Sequence, residues 1–66
     1  MLQLSRRQID RIERESRLEY LLELGESQAG RGSFEEARNT LRQAQEVAPD
    51  SSRAATGLLT AQRGLA

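Results

Sequence analysis

Between Ser5 and Ala29 nothing in the sequence stops a helix, and a rod of that length cannot fold back on itself. Ser5-Arg6-Arg7-Gln8 opens the stretch as a capping box: the Ser5 hydroxyl accepts from the third helical amide while Gln8 reaches back. Gly30-Arg31-Gly32 closes it, because glycine takes the left-handed backbone that ends a helix. The spacing predicts one helix of roughly 25 residues, about 37 Å at 1.5 Å per residue. Ser33-Phe34-Glu35-Glu36 reads as a second capping box, Ser33 with Glu36, opening a helix that runs to about Val47. Pro49-Asp50-Ser51 stops that helix, and Asp50 or Ser51 caps a third to the C-terminus. β-Branched and aromatic residues are scattered, and no stretch alternates over the length a strand needs. The expected fold class is all-α: an antiparallel helical hairpin with a long first helix, plus a third C-terminal helix.

The apolar faces predict how these helices pack. In the middle helix Phe34, Ala37, Leu41, Ala44 and Val47 or Ala48 recur at steps of three and four, a narrow stripe. In the third, Ala54, Ala55, Leu58, Leu59, Gln62 and Leu65 give a broader one. The first helix changes character halfway. From Arg6 to Glu19 nine of fourteen residues are charged, with Asp10–Arg14 and Glu13–Arg17 in the favourable acid-first order. From Leu18 to Ala29 the helix is amphipathic through Leu18, Leu21, Leu22, Gly25 and Ala29. Gly25 costs up to ~1 kcal/mol against alanine inside a helix, so it calls for a packing reason.

Composition narrows the function. Ten arginines balance ten acids, and there is no lysine, histidine or cysteine. Disulfides, Cys- or His-ligated metal sites, histidine acid–base chemistry and cysteine nucleophiles are therefore excluded. Glu35-Glu36 is an acid pair, but it stands where acids favour the positive end of a helix. Asp50-Ser51-Ser52 is likewise a cap, with no base to activate a serine. Gly30-Arg31-Gly32 matches no phosphate loop. Arg6, Arg7, Arg11, Arg14 and Arg17 are interleaved with acids and lack aromatic company, so a solvated helix explains them better than a nucleic-acid surface. No catalytic residue, metal ligand or cofactor is expected. No apolar run approaches a membrane span, and a cytoplasmic location is expected.

The pattern resembles the tetratricopeptide repeat. Leu21-x-x-Leu24-Gly25-x-x-Gln28, then Ala37-x-x-x-Leu41, Ala44 and Pro49, follow that family's signature over the 34 residues from Leu18 to Ser51. Leu21 stands for the family's Trp, Gln28 for its Tyr and Leu41 for its second-helix aromatic. The resemblance implies one domain over 1–66: a charged helical extension over 1–17, one repeat over 18–51 and a capping helix over 52–66. It implies a protein-interaction module, a scaffold, adaptor or chaperone-like binder, for a protein or peptide partner. Carried over by match, the lining of its concave surface is Glu19, Leu22, Glu23, Glu26 and Ala29, followed by Arg53, Thr56, Thr60 and Arg63. The Lys and Asn with which some family members clamp a terminal carboxylate are replaced by glutamates, so basic or amphipathic segments are the expected ligands. A structural self-assembling bundle without a separate ligand is the alternative of another class. A helical-hairpin RNA binder is a weaker one, which the zero net charge disfavours.

Self-association is also expected, as a homodimer or other homo-oligomer. A repeat of this kind buries the outer edge of its first helix against a preceding unit. The sequence has none to offer. Two long helices running antiparallel would bury Ile9, Ile12, Leu18 and Leu22 across a two-fold axis.

Overall fold

A computed structural model describes residues 3–65 of the chain; residues 1, 2 and 66, which the domain boundaries above include, lie outside the described residues. The fold is all-α, three helices packed against one another: α1 (Arg6–Gly30), α2 (Phe34–Val47) and α3 (Ser52–Leu65). The α1 capping box forms as read, with the Gln8 amide donating to Ser5 Oγ at 3.3 Å and the Ser5 amide to Gln8 Oε1 at 2.8 Å. At its other end Gly32, φ +84°, takes the left-handed turn, and Ser33 N donates to the Gln28 carbonyl at 2.9 Å. α3 is capped by Ser51 rather than Asp50, its Oγ accepting from Ala54 N at 3.3 Å.

The second capping box does not form. Ser33 sits at φ −84°, ψ 63°, outside the extended region from which a cap side chain reaches the helical amides, and makes no cap bond. The backbone leaving the Gly32 turn fixes Ser33 there, so the start of α2 rests on the charges of Glu35 and Glu36 in its first turn. The acid-first pairs of α1 are absent as well. Among the described residues the α1 ion pair is Arg11–Glu15 at 3.4 Å. Arg14 instead reaches across and donates from Nε to the Val47 carbonyl at 3.0 Å, satisfying one orphan acceptor at the end of α2.

α2 runs back along α1 and α3 returns along α2. Gln28 meets Thr40 near the turn, Arg14 meets Val47 at the far end, and Phe34 and Leu41 face Gly64 and Gly57. The core is Leu21, Leu22, Ala37, Leu41, Ala44, Ala54 and Ala61, with Leu18, Ala29, Val47 and Leu58 packed against it. Gly25 faces α2: a Cβ there would lie 2.5 Å from Leu41 Cγ, which explains a glycine inside a helix. On α3 the inward stripe is Ala54, Gly57, Leu58 and Ala61, while Leu59 and Leu65, expected inside, are exposed. The reason is room. Leu41 is completely buried, and a Cβ on Gly57 would already stand 3.0 Å from its Cδ1, so α3 approaches through its smallest residues.

The first half of α1 projects past this core, and the molecule measures 51 Å along its long axis against 20 and 14 Å. Ile9 and Ile12 are exposed on that projection.

Candidate functional site

α1 and α3 both lie against α2 and run in the same direction, with only light contact between them. The small residues that let α3 approach Leu41 leave an open groove of about 600 Å³ along this seam. Ala29 and Gly30 of α1 and Thr56, Gly57 and Thr60 of α3 line it, with Leu41 of α2, itself wholly buried, beneath them. The volume lies within the range of ligand clefts, and the floor is apolar. Thr60 Oγ1 donates to the Thr56 carbonyl at 3.1 Å, so that hydroxyl is turned onto its own helix.

The rim carries charge. Arg53 holds Glu26 side-on, Nη2 to Oε1 at 2.7 Å and Nε to Oε2 at 3.0 Å, and reaches Glu19 Oε1 from Nη1 at 3.2 Å. Glu19 and Glu26 stand seven residues apart, two turns along one side of α1, so one arginine at the start of α3 spans both. The hydrogen bonds from Arg53 hold the Glu26 carboxyl below its ordinary value, opposed by burial and aided by the guanidinium's charge. The bonds to Glu26 and then Glu19 raise the guanidinium's already high affinity for its proton.

The sign of the acid effect follows. A carboxylate whose folded value is depressed adds stability above its unfolded value, and loses it as pH falls through the folded one. The melting temperature is therefore expected to hold from neutral pH down to the ordinary carboxylate range near pH 4.5 and to fall below it. The pair is exposed and screened by salt, so the effect is small. Thermal melts of Arg53→Gln across that range are expected to show a shallower acid limb. An identical acid limb in the variant would remove Glu26 from the account.

The structure separates the residues read from the sequence. Glu26, Ala29, Arg53, Thr56 and Thr60 are brought together around the groove. Glu19 joins them through Arg53. Glu23 is exposed, and among the described residues it takes no part in the ion pairs. Arg63 is exposed and off the groove. Leu22 is a correction: at 3% exposure it belongs to the core and is offered to no ligand. Gly30, Ser52, Gly57 and Leu41 line the groove and were not anticipated, because their part depends on how closely α3 seats.

The proposed dimer seam needs the same correction. Leu18 is half-buried against the core and Leu22 is buried, so both are covered within the chain. At 100° per residue Ile9 points about 180° from Leu18 and about 140° from Leu22. One face cannot present all four. Sequence reasoning also missed Thr40, the buried polar residue of α2, whose Oγ1 donates to Gln28 Oε1 at 2.7 Å and ties the hairpin together.

Among the described residues no group of three acids is placed to hold a metal ion, and no helix is long and apolar enough to cross a membrane. No protein-family model matches the chain, and no curated protein or solved structure matches it either.

Proposed function

We propose that the chain is a protein-interaction module of tetratricopeptide-like build that holds a segment of a partner protein in the α1–α3 groove. The observation that carries this reading is the groove itself: an apolar floor of Ala29 and Gly57 laid over the buried Leu41, under a rim of Glu26 and Arg53. Apolar side chains of a bound segment would settle on the floor, and its polar groups would meet the rim, the division of labour usual in ligand clefts. Gly25 at the crossing, with Ala37 and Ala44 buried opposite, supports the repeat-like build. Arg53 already neutralises much of the acidic face, so the preference for basic segments rests mainly on Glu23. It also makes Glu26 structural as well as available. Glu26→Lys sets two cations side by side and is expected to lower the melt, whereas Glu23→Lys leaves it unchanged.

Selection of short segments from a displayed library on the whole chain tests the reading. Binders are expected to lose at least ten-fold in affinity on Thr56→Trp, which fills the groove from an exposed position, with the circular dichroism spectrum retained. Binders indifferent to that substitution would place recognition elsewhere.

A further inference from the structure

The outer side of α1 carries a sparse strip of three large side chains that no other described helix covers. Ile9 is 42% exposed, Ile12 49% and Tyr20 64%. At 100° per residue Ser5, Ile9, Ile12, Ser16 and Tyr20 fall within an arc of about 80°, on the side of α1 turned away from Leu18 and Gly25. We propose that this outer face is a self-association surface on which a second copy of the chain docks antiparallel through Ile9 and Ile12.

The occupant is argued from charge. Of the residues flanking the strip, Arg6 and Glu13 lie on one side and Gln8, Glu15 and Glu19 on the other. In an antiparallel pair each flank meets the same flank of its partner. With a two-fold axis passing between Asp10 and Arg11, Ile9 of one copy meets Ile12 of the other, twice. Arg6 then stands beside Glu13 of the second copy, offset by about 3 Å along the axis, within an arginine's reach. Symmetry makes that pair twice, and Gln8 meets Glu15 on the other flank. A parallel pair instead sets Gln8 against Glu13 and Glu15 against Tyr20, so no cation stands opposite an acid. The charge pattern therefore matches a second copy in one orientation.

Shape permits it. α2 and α3 lie on the opposite side of α1, and the axis falls in the projecting half, so the two hairpins emerge at opposite ends without meeting. The seam is short beside the 1,200–2,000 Å² or so that stable interfaces bury, so the dimer is a weak one that builds with concentration. This surface is separate from the groove and does not rest on its function.

Sedimentation equilibrium of the full chain, from low micromolar to millimolar concentration, provides the test. The mass is expected to rise from 7.4 kDa toward twice that value. Ile9→Glu with Ile12→Glu is expected to hold it at the monomer, with helical circular dichroism retained because both residues are exposed. Arg6→Glu alone, facing Glu13 twice, is expected to weaken association about ten-fold, and adding Glu13→Arg to restore it. Arg53→Gln, off the seam, is expected to leave the mass unchanged. A wild-type chain that stays monomeric to millimolar concentration overturns the proposal. So does a dimer indifferent to the isoleucine substitutions, and a swap that fails to rescue overturns the antiparallel register.

Discussion

Leu41→Ala is expected to leave the chain largely unfolded at room temperature. Among the described residues Leu41 is the largest side chain wholly removed from solvent, and it is packed from both sides. Truncating a buried leucine costs about 2–5 kcal/mol, the transfer loss plus the cavity left behind. Domains of this size rarely hold more than about 3–5 kcal/mol in all. Much of the remaining core is alanine, which cannot move in to fill the space. Far-ultraviolet circular dichroism of the purified variant checks this, and Leu41→Met, which conserves volume, is expected to remain folded. A cooperative melt for the alanine variant near that of the parent would show that the core does not depend on this residue.

The second large effect runs against helix propensity. Gly25→Ala should gain up to ~1 kcal/mol as a helix-interior substitution. Its Cβ, however, would lie 2.5 Å from Leu41 Cγ and 2.7 Å from Cδ2. Leu41 has nowhere to go, because Gly57 closes the other side and the residue has no exposed surface. Overpacking of this kind costs about 1–3 kcal/mol, and Gly25→Leu more, so both variants are expected to melt lower. Gly30→Ala supplies the opposite sign: a Cβ there meets nothing within 4 Å, and the variant is expected to gain about 0.4–1 kcal/mol. Equal melts for Gly25→Ala and Gly30→Ala would disprove the tight crossing.

Much of this fold was legible because its punctuation is local. The Ser5 box, the glycines at 30 and 32 and Pro49 act through backbone geometry within a few residues, and the helix ends follow them. The inward face of α2 was legible too, since its stripe is narrow and its other faces polar. The third helix was harder. Hydrophobicity ranks Leu59 and Leu65 above Gly57 and Ala61, yet the neighbour across the seam needed space rather than surface. Ser33 failed as a cap because the adjoining Gly32 turn set its ψ, a constraint that the Ser-x-x-Glu pattern does not carry. For the groove, the sequence sets the acids of α1 along one side of a helix, but the arginine that ties two of them down lies 27 and 34 residues away. The spacing of Glu19 and Glu26 on one side of a helix was the available signal. Its partner became identifiable only once α3 had a direction.

The position of Leu41 also shapes how the chain reaches its native state. α1 and α3 close on the same side chain from opposite sides, so neither two-helix subset can seal it from water. A hairpin of α1 and α2 alone leaves the α3 side of Leu41 wet, and α2 with α3 leaves the α1 side wet. No partial assembly therefore captures the main gain of burial, and intermediates have little to populate them. Unfolding becomes an all-or-none event in which the last helix to leave takes the other two with it. Helical contacts of short range make the reverse reaction fast, in microseconds to milliseconds, and helices that are marginal apart become one cooperative unit.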